Sequence, residues 1–241
     1  MLKKLFDKDP VWFAVLWIVL YVVGFSAADA ASDAIGISKL ITAAVGLIMS
    51  AVLLDFVLRN GLLGYCGLVK FKGCAKRYLY FLPLAVISSV NFWNGVTAPE
   101  GLLTSICFVV SMCCVAFLEE VIFRGLLFKG MCKSSVKAAV IVSSLTFGAG
   151  HIVNLFLGAP LTDTLLQLVY ASAIGFCYTA IFLEGGSILP CIISHALFNS
   201  LSTFATEPSA AMNLTMALAQ TLMGVGYGLW LLRRRRKSPE G

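Results

Sequence analysis

Long apolar stretches separated by short polar segments run through the chain from end to end. Each stretch approaches the roughly 20 residues that a helix needs to cross about 30 Å of hydrocarbon. None has the alternating apolar and polar positions of a barrel strand, so the pattern predicts transmembrane helices. The eight predicted spans are 11–28, 40–58, 78–99, 101–118, 138–162, 164–183, 185–206 and 208–232.

Composition supports the same class of protein. Hydrophobic residues make up 59% of the 241 residues and charged residues only 12%, whereas a soluble domain carries about 25% charged residues. The sequence therefore predicts an all-α polytopic membrane protein, one membrane domain over residues 1–241 with eight transmembrane helices. The first apolar stretch is longer than the about 7–15 residues of a signal-peptide core, which favours a retained first helix.

Basic residues are segregated to alternate loops of this predicted topology. When the spans are numbered from the N-terminus, 17 of the 18 Lys and Arg residues fall on one side, and only Lys39 falls on the other. Cytoplasmic loops carry such an excess of basic residues, so both termini are predicted to be cytoplasmic. The charge lies in juxtamembrane patches, which indicates contact with anionic membrane lipid. A role in nucleic-acid binding is therefore not expected from the net charge of +6.

A small set of ionisable and amide side chains lies within the predicted spans or directly continues them. An Asp, Lys or Arg at the centre of a membrane helix costs about 2.5–3.5 kcal/mol, so such residues are the strongest functional candidates. They belong to the fourth, fifth and seventh spans, whereas the first, third, sixth and eighth spans contain no charged residue. The candidates are Glu119, Glu120, Arg124, His151, His195 and Asn199.

Spacing along the helices assigns faces to these candidates. Glu120 and Arg124 are four residues apart and can form an ion pair, whereas Glu119 is rotated by about 100° and faces something else. From the cytoplasmic ends of their spans, His151 is roughly 20 Å deep and His195 roughly 15 Å deep. We therefore expect the histidines to meet Glu119 in one layer that opens toward the cytoplasm. Each residue taken singly could be an interhelical hydrogen-bonding group, but their conjunction favours a reaction centre.

Three motifs in the sequence resemble those of the CPBP family of intramembrane proteases. That family, also called Abi, includes the CAAX prenyl endoproteases and bacteriocin-processing enzymes, and the resemblance covers the motif-bearing core from about residue 100 to 205. The motifs are Glu119-Glu120-x-x-x-Arg124, Phe147-x-x-x-His151 and His195-x-x-x-Asn199.

The resemblance implies an eight-helix fold with the active site in a cytoplasm-facing cavity. It also implies an intramembrane endopeptidase of the glutamate type, which hydrolyses a peptide bond of a membrane-associated peptide or protein. By the resemblance, Glu119 and His151 activate the water, His195 and Asn199 form the oxyanion hole, and Glu120 and Arg124 support the arrangement.

The chemistry of the residue types agrees with this interpretation. Peptide hydrolysis needs a base for the water, an acid for the leaving amine and hydrogen-bond donors for the oxyanion. A desolvated carboxylate is a stronger base than one in water, and imidazole and amide groups supply donors. The sequence contains neither the Gly-x-Ser-x-Gly motif of serine hydrolases nor the His-Glu-x-x-His motif of zinc proteases.

Three alternatives remain open at the level of sequence. No cofactor is expected, but two histidines and a glutamate are also a sufficient catalytic zinc set, so a zinc-dependent intramembrane metalloprotease is one alternative. A transporter or proton relay would also use intramembrane carboxylates and histidines, although its carboxylates would be spread over several helices. A non-catalytic role, such as bacteriocin immunity, is the third alternative.

The compact chain and its basic cytoplasmic loops indicate a multi-pass protein of a bacterial plasma membrane. In that setting we expect a peptide substrate, such as a bacteriocin or pheromone precursor, before a lipidated protein. Membrane lipid is the other expected partner.

The segregation of charge makes a direct prediction about topology. Reporter fusions at either terminus, or in the segments 59–77 and 129–137, should report a cytoplasmic location because the basic residues concentrate there. A reporter that is active outside the membrane at any of these positions would contradict the predicted orientation.

Overall fold

The computed structural model describes residues 2–71, 81–98 and 101–235. Five of the basic residues counted in the topology prediction lie outside this description, namely Lys72, Lys76, Arg77, Arg236 and Lys237, as do residues 78–80 and 99 of the third predicted span. The helices are α1 (Leu2–Lys8), α2 (Pro10–Ala34), α3 (Leu40–Arg59), α4 (Leu63–Cys66), α5 (Leu82–Phe92), α6 (Leu102–Met131), α7 (Val136–Phe156), α8 (Leu161–Gly185), α9 (Leu189–Leu201) and α10 (Ala210–Arg235). Within the described ranges, the one extended pairing is an isolated bridge between Val96 and Ala205.

Six of the described helices are long and apolar enough to cross a membrane, namely α2, α3, α6, α7, α8 and α10. The third and seventh predicted spans instead contain the shorter helices α5 and α9, and α9 continues into a 3₁₀ turn at Ser202–Phe204. The all-α, multi-pass class is therefore confirmed. The count of eight crossing helices and the cytoplasmic location of the termini stay predictions.

Helix α6 lies at the centre of the molecule and packs against α2, α3, α7 and α9. Its segment Glu120–Phe128 is π-helical, and all nine residues of this segment are buried. A π-helical segment widens the helix and is frequent at functional sites. The segment begins directly after Glu119, so the change of helical geometry coincides with the first sequence motif.

A cluster of aromatic side chains closes the end of the helix bundle where the N-terminus lies. Phe6 of α1 contacts the rings of Phe13, Phe56 and Tyr65 at centroid distances of 5.5, 5.9 and 5.4 Å. Beside it, Phe128 of α6 packs on the ring of a phenylalanine in α8 at 5.9 Å. This cluster, called here the aromatic plug, consists of Phe6, Phe13, Phe56, Tyr65, Phe128 and Phe182.

Two glycines allow α10 to approach α8 closely. A Cβ atom at Gly224 would lie 2.7 Å from the carbonyl oxygen of Ala173, and one at Gly228 would lie 2.5 Å from the ring of Phe176. Small residues four positions apart are typical of close helix contacts in membranes, where backbone proximity replaces the hydrophobic effect as the source of packing energy. By contrast, Gly226 on the same helix faces open space.

This packing predicts different results for two alanine substitutions on α10. Gly224→Ala should destabilise the protein by about 1–3 kcal/mol because the added methyl group overpacks a backbone contact. Gly226→Ala should be neutral or slightly stabilising because alanine is the better helix former. Thermal unfolding in detergent, followed by circular dichroism, measures both variants. Equal loss of stability in the two variants would show that the close contact between α8 and α10 is absent.

Candidate active site

Glu119 is held at the inner face of α6 by a residue from α2. The phenol of Tyr21 donates a hydrogen bond of 2.7 Å to Glu119 Oε1. The second oxygen, Oε2, is buried and has no hydrogen-bond partner among the described residues. It lies 3.7 Å from Nε2 of His195. Glu119 therefore has one oxygen anchored and one oxygen without a hydrogen-bond partner among the described residues.

Glu120 connects two cationic or polar partners at the centre of the bundle. Its Oε1 accepts a hydrogen bond from Arg124 Nη1 at 3.0 Å and lies 3.0 Å from Nδ1 of His195. The side chains of Glu120 and Arg124 are both fully buried. The ion pair predicted from the four-residue spacing is confirmed, and the structure adds His195 to it.

The contact with Glu120 also defines the roles of the two His195 ring nitrogens. A carboxylate oxygen at 3.0 Å from Nδ1 favours the tautomer in which Nδ1 carries the proton and donates a hydrogen bond to Glu120. Nε2 then faces Glu119. His195 thus bridges the two adjacent carboxylates, with one nitrogen directed at each.

The ring of Phe147 contacts three of the polar side chains of the site. The Arg124 guanidinium lies over its face, 4.1 Å from the ring centroid. The edges of the His151 and His195 rings approach Phe147 at centroid distances of 5.9 and 5.7 Å. A cation over an aromatic face is attracted by the ring quadrupole, more so in a desolvated site. Phe147 therefore ties the motif in α7 to the motifs in α6 and α9.

Two close contacts with α8 hold together the groups that surround Phe147. A Cβ atom at Gly175 would lie 3.0 Å from both Arg124 Nη2 and the Phe147 ring, so a side chain at this position would displace one or both of them. On α7, a Cβ atom at Gly148 would lie 1.9 Å from Ser172 Oγ. The site is therefore built where α7 and α8 approach most closely.

A polar chain supports the helix that carries His195. The Tyr178 hydroxyl donates to Ser194 Oγ at 3.0 Å, and Ser88 Oγ donates to the Ser194 carbonyl oxygen at 3.2 Å. Asn91 donates its amide to the carbonyl oxygen of Phe198 in the same helix. Buried polar groups need such partners, and here they attach the short helix α9 to α5 and α8.

The predicted site residues meet at a cavity of about 400 Å³, whose lining includes Glu119, His151 and Asn199. A smaller, mostly apolar pocket of about 50 Å³ adjoins it and is lined by both histidines and Asn199. The structure thus brings together Glu119, His151, His195 and Asn199, whereas Glu120 and Arg124 lie behind them in the protein core.

Sequence reasoning missed the part played by Tyr21. A tyrosine in an apolar span is unremarkable, since its ring is compatible with lipid, and no motif marks it. It is separated from Glu119 by 98 positions. Its signal in the sequence would have been its place on the helix face that α2 turns toward α6, which a single sequence does not reveal.

The residues of a possible zinc site do not form a ready metal cluster. Within the described ranges, no three His, Cys, Asp or Glu side chains converge in a way that could hold a metal ion. Glu119 Oε2 and His195 Nε2 face each other at 3.7 Å, and His151 lies at the same cavity. The zinc alternative stays a prediction, and no chemical step is assigned to a metal.

Comparison with known families converges on the same part of the chain. Residues 101–201 match the family model of the type II CAAX prenyl endopeptidases, Rce1-like. This part of the chain is similar to that family. All three motifs lie within the matched residues, so the resemblance to the CPBP and CAAX protease family is confirmed. The match implies an intramembrane protease, and a comparison of the chain with curated proteins finds no match.

The ion pair within the Rce1-like region predicts a loss of folded protein on mutation. Glu120→Gln or Arg124→Ala leaves an uncompensated charge in the core, which typically costs about 3–5 kcal/mol. Both variants should show a lower yield of monodisperse protein and a lower melting temperature in detergent, together with reduced activity.

A matched control exists on α3, where Asp55 and Arg59 have the same four-residue spacing at 2.7 Å but are largely exposed. Asp55→Asn should cost about 0–1 kcal/mol, as is typical of surface pairs. Normal amounts of stable but inactive Glu120→Gln protein would contradict a supporting role and indicate a direct chemical one.

Proposed function

We propose that the protein is an intramembrane endopeptidase that hydrolyses a peptide bond with a water molecule activated by Glu119 and His151. The observation that carries this proposal is the asymmetry of the Glu119 carboxylate. One oxygen is anchored by Tyr21, and the other is buried, unpartnered and close to His195 Nε2. A general base needs a fixed position and a free lone pair that a water molecule can reach. Glu120 also has an unpartnered oxygen, but only Glu119 of the two lines the cavity.

The proposed reaction uses the free oxygen of Glu119 twice. Glu119 Oε2 removes a proton from the water as the water oxygen forms a bond to the scissile carbonyl carbon. The carbonyl oxygen becomes an oxyanion. When the C–N bond breaks, the proton passes from Glu119 to the leaving amine, with His151 at the same cavity wall relaying it. Glu119 returns to the carboxylate form, so the proton balance closes.

The contacts at the centre support His195 as a donor to the oxyanion. Its Nδ1 lies 3.0 Å from Glu120, which fixes the orientation of the ring. Its Nε2 is directed to the side of Glu119, 3.7 Å from Oε2. In the proposed step an N–H at this position donates to the oxyanion as the oxyanion forms.

Asn199 supplies the second donor in this proposal. It lies one helical turn after His195 on α9, and both residues line the pocket that adjoins the cavity. Donors that are held in place before the oxyanion forms stabilise it without reorganisation. The bonds that attach α9 to α5 and α8 provide that rigidity.

We further propose that the reaction is of the glutamate type and proceeds without a metal. The support is that, among the residues that the structure describes, no three His, Cys, Asp or Glu side chains converge in a way that could hold a metal ion. Cleavage by purified protein should persist after treatment with a strong chelator and subsequent removal of the chelator. Loss of activity that is restored by zinc would instead favour the metalloprotease alternative.

The proposed substrate is a membrane-associated peptide or protein, of which a secreted peptide precursor in a bacterial plasma membrane is the type we favour. The cavity of about 400 Å³ is large enough for several residues of an extended chain. Polar groups around it can bond to a peptide backbone.

The division of roles predicts a ranking of variants in a cleavage assay. Glu119→Gln and His151→Ala should each abolish cleavage because an amide or a methyl group cannot accept and return a proton. Asn199→Ala should retain measurable activity, since loss of one oxyanion donor typically costs about 10²–10³ in rate.

All three variants should keep near wild-type melting temperatures in detergent, which separates chemistry from folding. If folded Glu119→Gln protein were more active than Asn199→Ala protein, the roles proposed for these residues would be wrong.

A further inference from the structure

We infer that the catalytic cavity opens toward the extracytoplasmic side of the membrane and receives its peptide substrate from that side. The inference rests on the proposed function and on the topology predicted from the basic residues. It departs from the cytoplasm-facing cavity that the family resemblance implies.

Most residues that line the cavity come from one end of their helices, except in the central helix α6, where they lie along the middle. In α2 they run from the middle toward the C-terminal end, in α3 and α8 they belong to the first three turns, and in α7 and α9 they belong to the second half. Apart from Lys39, the basic residues that flank α2, α3 and α7 lie at the opposite ends of these helices. The lining residues that show this most clearly are Ser26, Asp29, Lys39, Thr42, Asn154, Leu157, Gln167 and Ser202.

The end with the basic loops is filled below the site. Every side chain from Glu120 to Phe128 in the π-helical segment is buried. Farther along in the same direction lies the aromatic plug, to which α1 and α4 contribute. A Cβ atom at Gly125 would lie 3.1 Å from Cys66 Cβ, so α4 packs directly against the π-helical segment. Beyond Phe123, which still borders the cavity, this packed core lies between Glu119 and the end with the basic loops.

The open end of the cavity is polar at its rim. Lys39 forms an ion pair of 2.9 Å with Asp29, and the two side chains are only 26% and 23% exposed. Lys39 is also the single basic residue that the predicted topology assigns to the extracytoplasmic side. Across the cavity, Asn154 donates to Gln167 at 2.8 Å. Groups of this kind stay hydrated and can bond to a peptide backbone.

Apolar side chains lie beside this polar rim. Ile152, Phe156 and Leu157 at the end of α7 are 51%, 86% and 54% exposed. They suit contact with lipid in the outer leaflet. The combination of a polar mouth and an apolar flank fits a substrate that is anchored in the extracytoplasmic leaflet and extends a peptide segment into the cavity. The substrate class is thus a translocated, membrane-attached peptide.

Cysteine labelling in cells tests the direction of the opening independently of activity. Ser26→Cys places a thiol in the cavity wall at membrane depth. Val23→Cys places one on the same helix, at a position that is 63% exposed outside the cavity and faces lipid. Because only a thiolate reacts with a maleimide and lipid suppresses ionisation, Val23→Cys is the matched control. Ser134→Cys marks the loop with the basic residues.

With a membrane-impermeant maleimide on intact spheroplasts, Ser26→Cys should be labelled about tenfold or more faster than Val23→Cys. Rates are corrected for the unsubstituted protein, which has cysteines of its own. Ser134→Cys should be labelled only after permeabilisation. Labelling of Ser26→Cys only after permeabilisation, or its failure from both sides, would overturn the inferred opening.

The same variants separate this inference from the proposed function. Labelling of Ser26→Cys should be unchanged when Glu119→Gln is added, because the reaction reports access and not catalysis. If labelling follows the expected pattern but no cleavage is ever found, the proposed function fails while the orientation holds. Conversely, a bulky impermeant maleimide on Ser26→Cys should block cleavage in spheroplasts. Full cleavage by the labelled protein would show that the substrate enters elsewhere.

Discussion

The buried carboxylate of Glu120 is the group on which the rest of the site depends. A charge in the apolar centre of a helix bundle is tolerated only when it is paired and hydrogen-bonded. Glu120 meets this requirement with Arg124 on its own helix and His195 on α9. Arg124 in turn lies on the face of Phe147 in α7. One requirement for charge compensation therefore holds three helices in register, and the catalytic candidates are attached to those helices.

Two adjacent carboxylates serve different purposes because successive positions on a helix face different directions. Glu120 turns into the core, where no solvent reaches it, while Glu119 turns toward the cavity and α2. Tyr21 then restrains one oxygen of Glu119 and leaves the other available. The π-helical geometry begins between the two residues, so the local widening of α6 occurs where the side chains diverge. The carboxylate that faces the packed core therefore supports the site, and the carboxylate that faces the cavity is the catalytic candidate.

The distribution of packing along the bundle gives the site a direction. The end that carries the basic loops is filled by aromatic rings and by the wholly buried π-helical segment. The other end is held apart, with polar groups at the rim of the cavity. Together with the topology predicted from the basic residues, this distribution is the basis of the proposed access from the extracytoplasmic side.

The sequence by itself determined the properties that depend on local periodicity and on composition. Apolar runs of membrane length defined the all-α class and six of the helices, and the four-residue spacing of Glu120 and Arg124 defined their ion pair. Sequence order and residue type were also enough to single out the motif residues. Only the tertiary structure decided which groups meet across helices. The bond from Tyr21 to Glu119, the attachment of His195 to Glu120 and the end of the helix bundle toward which the cavity extends all depend on how distant helices pack. Helical periodicity shows which face of a helix a residue occupies, but the partner of that face is selected by shape and charge over the whole bundle.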